Sequence, residues 1–397
     1  MFTVGIVSQV VFSATFLGLP AASVLVQDSL DLSTAGLALV LGGASIAVVL
    51  SEFPWGVAAD RFGERRVLLI GVVGSATVLA VIAVIASLTR PSAWGLAGLL
   101  FLAAGMGGAV TGPSGSALLG WFPAHRHGTL LSLRVAAVPA GGAVGTLAYS
   151  WLLGQSGVGL TFAAFAGACA LCAVLVWVFV FDPPTVALTG GASVSRSARP
   201  ALRRIGVWRV AASGLLLDVS QFFVLTFAAA ILADQHGYPP IAGVAAVAAM
   251  QLVGGALRVV AGIGTDFVQW MSRTTVVRTM AVVQAGCLVV VACGQSVPLY
   301  VSLSAMILAG VASCAWQGAH FAQIATIAGP GQAGTALGLN NTATSLGAFI
   351  PQVGAGALAL VVGWGSATIF LGVIPAALAV FLFPRASVDP QSGGPTG

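Results

Sequence analysis

Apolar runs recur along the whole 397-residue chain, and each is long enough to cross the ~30 Å hydrocarbon core of a bilayer as a helix. Only 6% of the residues are charged, whereas a soluble domain has about 25%. The runs are continuous, and they do not alternate residue by residue as the strands of a membrane β-barrel do. The sequence therefore predicts an all-α membrane protein built as a helical bundle.

We count twelve such runs and predict one transmembrane helix for each. Their expected bounds are 3–27, 35–58, 67–88, 94–119, 129–154, 160–181, 207–233, 240–264, 275–296, 298–323, 333–361 and 364–383. A linker rich in Pro, Gly, Ser and Arg, 182–206, separates an N-terminal half (1–181) from a C-terminal half (207–384). The tail, 385–397, has the composition of a disordered segment.

The second and third runs are joined by a charged turn, Gly56–Arg66, and part of this turn is repeated later in the chain. Four matches share an offset of 206 positions: Gly56 with Gly262, Asp60 with Asp266, Glu52 with Arg258, and 128–134 with 334–340. A constant offset across separate spans predicts two pseudo-symmetric halves of six helices, related by an axis along the membrane normal. Proteins built in this way place the substrate near the midplane, between the halves.

The turn carries the pattern G-x-x-x-D-R-x-G-x-R-R, formed by Gly56, Asp60, Arg61, Gly63, Arg65 and Arg66. This pattern, between two membrane spans, resembles the loop motif of the major facilitator superfamily of secondary transporters. The resemblance extends over all twelve spans and implies that superfamily's fold. It also implies transport by alternating access and no enzymatic activity.

Two details refine the resemblance. The run from Arg134 to Gly142 in span five is similar to a motif of many bacterial members. Drug:proton antiporters of the family usually carry an Arg in span four, four residues before a Gly, but here Phe101 precedes Gly105 at that place. Proton-coupled drug efflux is therefore the weaker interpretation.

The charged turn is expected to act in conformational change and not in substrate binding. Asp60 can pair with the Arg residues of its own loop or with the positive N-terminal end of a neighbouring helix. Such contacts form in one transport state and break in the other. The repeat predicts a related part for Asp266.

The Arg residues predict the orientation. All fifteen basic residues are Arg, and most lie in the loops after spans two, four and eight, in the linker and in the tail. The other side carries only Arg90, so the Arg-rich side is expected to be cytoplasmic. We therefore predict a multi-pass protein of the cytoplasmic (inner) membrane with both termini in the cytoplasm. Because the Arg residues are spread over many loops, we expect no nucleic-acid partner.

Four ionisable residues fall inside predicted spans: Glu52, Arg134, Asp218 and Arg258. A charge inside a span costs about 2.5–3.5 kcal/mol on insertion scales, so such residues are functional candidates. Arg258 lies eight residues before Asp266, about 12 Å into the membrane. A buried guanidinium suits a carboxylate substrate, or it pairs with an acidic residue of the protein.

Arg134 is predicted at a depth of about 9 Å in span five. The resemblance implies that spans five and eight meet between the halves, so Arg134 and Arg258 would be neighbours. Two neighbouring guanidinium groups repel, so an anionic substrate or Glu52 is expected between them. The alternative for Arg134 is a role in gating, with Asp60 as its partner.

Asp218 is predicted near the middle of span seven, where burial favours the neutral form of a carboxyl group. It is thus a candidate proton carrier, or an acid paired inside the bundle. Gln221 lies on the next turn and shares its face. Glu52 is the second candidate for proton coupling, and the alternative is an ion pair across the halves.

Span ten offers Trp316, Gln317 and His320 as substrate contacts, and the resemblance implies that this span lines the cavity. Trp316 and His320 are spaced for one helical face. The alternative is that these side chains pack or form hydrogen bonds inside the bundle. Gln9 in span one is a weaker candidate, and the amides Asn340 and Asn341 are expected to link helices.

The sequence therefore predicts a secondary transporter of a small organic anion of the carboxylate type, coupled to protons or working by exchange. The alternative is efflux of a hydrophobic or cationic compound, with Asp218 and Glu52 as the recognition charges. A membrane receptor or scaffold is a remoter possibility. All five Cys lie in apolar runs, so we expect no metal site, and no cofactor is expected. The expected partners are the substrate, the lipid bilayer and protons, and the protein is expected to be a monomer.

Overall fold

The structure is a computed structural model of the chain. It describes residues 2–21, 27, 29–111, 122, 126–181, 199–238, 240–268, 270–329 and 332–384. Most of the predicted linker, the predicted tail and the end of span four lie outside the described residues. Within the described ranges, every regular element is a helix.

The N-terminal half contains α1 (Phe2–Phe16), α2 (Thr34–Phe62), α3 (Glu64–Leu88), α4 (Ala93–Gly107) and the stretch His127–Phe179, which Gly157 divides into α5 (127–156) and α6 (158–179). The C-terminal half contains α7 (Ile205–His236), α8 (Pro240–Phe267), α9 (Arg273–Ala292), α10 (Leu299–Ala328, interrupted at Trp316) and the stretch Ala333–Leu382, which Gly363 divides into α11 (333–362) and α12 (364–382).

The two divided stretches turn back on themselves at a glycine. The first is 53 residues long and would extend about 80 Å as one straight helix, more than twice the thickness of a membrane core. Gly157 has a φ of 73° and Gly363 a φ of 78°. Glycine adopts this conformation without the steric cost that a Cβ imposes. Each glycine therefore allows a tight return between two spans.

Among the described residues, nine helices are long and apolar enough to cross a membrane if each divided stretch is counted once. Counting the two parts of each divided stretch separately adds two segments, and α1 is a shorter apolar helix. The described segments follow the order of the twelve predicted spans. The prediction of an all-α membrane bundle is confirmed.

Across the halves α5 packs against the second segment of α10, and the halves also meet where α2 packs against α11 and where α5 packs against α8. We call the last two contacts the α2–α11 seam and the α5–α8 seam. One hydrophobic cluster consists only of residues up to Val180, and another consists only of residues from Phe223 onward. A third cluster joins Leu131 and Val135 of α5 to residues of the C-terminal helices, so the division into halves stays a prediction.

Candidate functional site

Asp60, at the end of α2, binds the N-terminus of α11 in the other half. Its carboxylate accepts hydrogen bonds from the backbone N–H groups of Gly334 (2.9 Å) and Thr335 (2.6 Å). The first N–H groups of a helix have no partner within the helix and carry a partial positive charge. Of the two partners predicted for Asp60, the structure shows the helix N-terminus.

Asp266, at the end of α8, repeats this arrangement at the N-terminus of α5. Its carboxylate accepts hydrogen bonds from the N–H groups of Gly128 (3.0 Å) and Thr129 (2.6 Å). Arg273 adds an ion pair at 4.0 Å. The offset of 206 seen in the sequence thus corresponds to a repeated contact between the halves.

The other residues of the motif organise the turn between α2 and α3. Gly63 has a φ of 91°, which glycine adopts readily. Arg65 donates to the carbonyl of Trp177 at 2.7 Å and lies over the ring of Phe181, so it binds the end of α6. Arg61 lies over the ring of Phe62, and Arg61 and Arg66 are exposed.

Glycines let the two seams close to backbone contact beside the aspartates. A Cβ on Gly56 would overlap the carbonyl of Gly334 in α11. In the α5–α8 seam, a Cβ on Gly262 would overlap the Ser132 hydroxyl and lie 2.7 Å from the carbonyl of Gly128. We call this part of the bundle the aspartate end. The halves are closed on each other there.

Deeper in the bundle, Glu52 and Arg134 form the charged pair of the N-terminal half. Each side chain is 3% exposed, and their opposite charges attract. Arg134 Nη2 donates to Gln9 Oε1 at 3.0 Å and to the carbonyl of Val110 at 3.3 Å. Glu52 Oε2 accepts a hydrogen bond from the Ser345 hydroxyl of α11 at 2.8 Å. Glu52 therefore touches both halves.

Asp218 and Arg258 are the corresponding charged residues of the C-terminal half and are 3% and 4% exposed. Their charges also attract. Arg258 Nε donates to the carbonyl of Cys314 at 2.6 Å, and its Nη1 donates to the carbonyl of Val135 in α5 at 3.2 Å. Arg258 therefore crosses the α5–α8 seam and reaches the residue that follows Arg134.

Interruptions of two helices supply carbonyl groups to both arginines. After α4 the chain forms a 3₁₀ turn, Gly108–Val110, and α10 is interrupted at Trp316. Val110 and Trp316 are again 206 positions apart. The last carbonyls of an ended helix lack helical partners and are partly negative, so they attract cations. Arg134 and Arg258 occupy such places.

The interruption of α10 also directs polar side chains toward Asp218. Gln317 Nε2 donates to Asp218 Oδ1 at 3.3 Å and contacts Gln221 Oε1 at 3.5 Å. Trp316 Nε1 donates to Gln221 Oε1 at 3.2 Å. Three of the predicted substrate contacts thus gather beside one of the predicted proton carriers.

His320 lies one turn further along α10, toward the aspartate end. It is fully buried, and its Nε2 lies 3.0 Å from the carbonyl of Val210 and 3.2 Å from the Ser213 hydroxyl. Its ring packs against Trp316 with 4.8 Å between ring centroids. These contacts all lie within the C-terminal half.

Two expectations differ from the observed partners. One alternative for Glu52 was an ion pair across the halves, but the charge that attracts it, Arg134, belongs to its own half, while across the halves it accepts a hydrogen bond from Ser345 and is repelled by Asp218. The alternative partner predicted for Arg134 was Asp60. Arg134 instead donates hydrogen bonds to Gln9 and to the carbonyl of Val110, whereas Asp60 binds the α11 N-terminus. The expectation that an anionic substrate or Glu52 lies between the two arginines stays a prediction.

Sequence reasoning missed Ser345 and the carbonyls of Val110 and Cys314. The pair Gly107–Gly108, just before Val110, could have indicated the interruption of α4. No comparable signal precedes Cys314. Within the described residues, no group of three or more His, Cys, Asp or Glu side chains could hold a metal ion.

Comparisons with known proteins agree on one family. The family model of the Major Facilitator Superfamily matches residues 2–351. The chain is 31% identical over 310 residues to an uncharacterized MFS-type transporter of Mycobacterium tuberculosis (strain CDC 1551 / Oshkosh), which covers 78% of this chain and 67% of the relative. It is 23% identical over 255 residues to the hexuronate transporter of Bacillus subtilis (strain 168), covering 60% of this chain and 56% of that one.

Solved structures share the fold. The transporter FucP in its outward conformation superposes with a TM-score of 0.75 at 14% identity, covering 96% of this chain and 97% of FucP. The chain belongs to the Major Facilitator Superfamily, whose members are multi-pass membrane transporters of small molecules and not enzymes.

Proposed function

We propose that this transporter moves a small organic anion of the carboxylate type across the cytoplasmic membrane by alternating access. The observation that carries the proposal is the cluster of Arg134, Arg258, Glu52 and Asp218, all buried where the halves meet. A buried guanidinium provides a charge-assisted, two-pronged donor for a carboxylate. The relative named as a hexuronate transporter supports an anionic substrate, since a hexuronate carries a carboxylate.

The charge balance of the cluster supports coupling to a proton or to a second anion. Two arginines and two carboxylates sum to zero when all four are ionised. An added anion would leave an uncompensated buried charge, which is strongly unfavourable. If Asp218 takes up a proton as the substrate binds Arg258, the sum stays at zero. Exchange of one anion for another balances equally well.

The roles follow from the contacts. Arg258 and Arg134 bind the carboxylate, and Trp316, Gln317 and Gln221 supply uncharged hydrogen-bonding groups around it. Asp218 carries the proton because it lies beside both Arg258 and Gln317. Glu52 is the second proton carrier, and His320 borders the site from the next turn of α10.

Alternating access requires the seams to open and close. The aspartate end is closed in the structure, and the Arg-rich loops lie at this end, so we propose that it faces the cytoplasm. To open it, Asp60 must leave the α11 N-terminus and Asp266 must leave the α5 N-terminus. These two contacts are the elements whose formation would bias the two transport states.

Thermal stabilisation of the detergent-purified protein tests the substrate class. The wild type, Arg258→Gln and Arg209→Gln would be compared against small carboxylates and drug-like cations. Arg209 is a matched control because its guanidinium binds carbonyl groups of Phe381 and Leu382 at the surface. A ligand that binds only the folded state raises the melting temperature. We expect a carboxylate to stabilise the wild type and Arg209→Gln but not Arg258→Gln.

Stabilisation by cations alone, unchanged in Arg258→Gln, would contradict the anion proposal and favour efflux of a cationic compound. Uptake into proteoliposomes under a pH gradient then tests the coupling. Asp218→Asn should abolish accumulation driven by the gradient but keep exchange of labelled for unlabelled substrate. Accumulation that persists in Asp218→Asn would exclude Asp218 as the proton carrier.

A further inference from the structure

Three side chains converge on the backbone of Gly214, one turn from Asp218 along α7. A Cβ built on Gly214 would lie 2.8 Å from His320 Cε1, 3.0 Å from Thr344 Cγ2 and 3.2 Å from Asn340 Oδ1. These side chains come from α10 and α11, so three helices meet at this point. The absence of a side chain at Gly214 is what lets them approach.

Two of these side chains carry polar atoms that have no partner among the described residues. Asn340 is fully buried, and within the described ranges neither its Oδ1 nor its Nδ2 makes a hydrogen bond. His320 is also fully buried, and no residue that the structure describes is a partner for its Nδ1. Buried polar atoms in folded proteins are almost always hydrogen-bonded, and each exception calls for an unseen water, ion or ligand.

The imidazole of His320 has a defined tautomer here. Its Nε2 lies 3.0 Å from the carbonyl of Val210, and a carbonyl oxygen can only accept a hydrogen bond. Nε2 therefore carries the proton. In the neutral ring, Nδ1 is then an acceptor.

The unmet groups at this point are one donor, Asn340 Nδ2, and two acceptors, Asn340 Oδ1 and His320 Nδ1. A carboxylate only accepts hydrogen bonds, and an ammonium group only donates them, so each leaves groups unmet. An O–H group both donates and accepts. A hydroxyl can take a hydrogen bond from Nδ2 and give one to Nδ1 or Oδ1, so it serves both kinds of group and leaves one acceptor, and a water molecule can serve all three.

We propose that Asn340 and His320 form a binding site for an O–H group. This site lies on the aspartate-end side of the four buried charges. The group belongs either to the substrate or to a bound water molecule. In the first case, the substrate is a hydroxylated carboxylate whose acid group binds the arginines and whose hydroxyl binds Asn340. This part rests on the proposed function, and it extends the site toward the aspartate end.

Matched acid pairs test the source of the O–H group: glycolate with acetate, lactate with propionate, and gluconate with hexanoate. Dissociation constants would be measured on the purified full-length protein. A site built to bind a hydroxyl discriminates strongly against the analogue that lacks it. For a pair that binds, we expect the wild type to prefer the hydroxylated acid by about tenfold or more. The preference should fall below about threefold in Asn340→Leu and in His320→Phe.

Two further variants separate the site from general packing. Thr344→Val is the matched control, because the Thr344 methyl group faces Gly214 while its hydroxyl donates to the carbonyl of Asn341 at 3.0 Å. It should keep the preference. Gly214→Ala places a methyl group against His320 and Asn340 and should lose the preference. If Asn340→Leu does not fold, Gly214→Ala tests the proposed site in its place.

The outcomes are distinct. Equal binding of both acids in a pair, with an ordered water on Asn340 and His320 in an experimental structure, shows a water site and refutes the hydroxylated substrate. Equal binding without such a water overturns the whole inference. An unchanged preference in Asn340→Leu also overturns it. If no acid binds the wild type at all, the proposed anion transport has failed, which is a different result.

Discussion

The two seams of the bundle are the same at the aspartate end and opposite in charge further in. At the aspartate end, each half offers a carboxylate to a helix N-terminus of the other half: Asp60 to α11 and Asp266 to α5. Eight residues deeper, the repeat places Glu52 in one seam and Arg258 in the other. Both cross to the opposite half, but Glu52 accepts a hydrogen bond and Arg258 donates one.

We infer from this difference that the repeat supports closure and that departures from it form the proposed site. Closing the bundle evenly on both sides requires equivalent contacts, and the two aspartates provide them. Binding an asymmetric substrate requires unlike groups on the two sides, and Glu52 and Arg258 provide these. Substitutions in each seam can test whether the seams are equivalent at the aspartate end and opposite at the site.

The largest effect is expected from overfilling the seams with Gly56→Leu or Gly262→Leu. Either side chain would hold the aspartate end open, and the rate of substrate uptake into proteoliposomes should fall about 100-fold or more. The milder Gly262→Ala should be rescued in part by adding Ser132→Gly, because the added Cβ overlaps the Ser132 side chain and also lies 2.7 Å from the Gly128 carbonyl. Gly56→Ala meets the backbone of Gly334, so no side-chain change opposite it should rescue it. Rescue of Gly56→Ala by such a change would refute the packing argument.

The two charges at equivalent positions should have opposite effects on anion affinity. Arg258→Gln removes a positive charge and should weaken binding of the carboxylate about tenfold or more. Glu52→Gln removes the negative neighbour of Arg134 and should tighten binding several-fold, by about 1 kcal/mol. Isothermal titration of the purified variants measures both. If both variants shift the anion affinity in the same direction, Glu52 and Arg258 do not act on the anion through their opposite charges.

Removing one aspartate should loosen its own seam first. In Asp60→Asn, hydrogen exchange at the α11 N-terminus should rise about fivefold, since a charge at a helix terminus contributes about 1 kcal/mol. In Asp266→Asn, the rise should appear at the α5 N-terminus and be larger, because the ion pair with Arg273 is lost as well. Mass spectrometry of the peptides at 127–132 and 333–338 reads each site separately. Equal rises at both ends in each variant would mean that the seams open only together.

The smallest effect is expected from Ser345→Ala, which removes one neutral donor to Glu52. Because the freed carboxylate keeps Arg134 nearby, we expect a net loss at the lower limit for a hydrogen bond, about 0.5 kcal/mol, so transport should change by about twofold. Ser45→Ala is the control, because the Ser45 hydroxyl is exposed and bonds within its own helix. A change no larger than that of Ser45→Ala would remove Ser345 from the site.

The sequence predicted the fold well because long apolar runs identify membrane helices. The constant offset between Asp60 and Asp266 also predicted that the two turns are equivalent. Their contacts with α11 and α5 follow from one local rule, that a carboxylate binds a helix N-terminus.

The site was harder to predict because its contacts depend on how distant helices are aligned. Ser345 reaches Glu52 across 293 positions, and no local pattern sets that alignment. The carbonyls that bind Arg134 and Arg258 are available because two helices are interrupted. Every residue has a backbone carbonyl, so the sequence does not show which of them lacks a helical partner. Charge buried in a span identified the four central residues, but not how they pair.

The neutrality of the buried cluster has an electrical consequence. Moving one elementary charge across a membrane at 100 mV changes the free energy by about 2.3 kcal/mol. A site whose four charges cancel presents no net charge to that field when it returns empty. If an anion and a proton travel together, the loaded site is neutral as well. Accumulation would then follow the pH gradient and be indifferent to the membrane voltage.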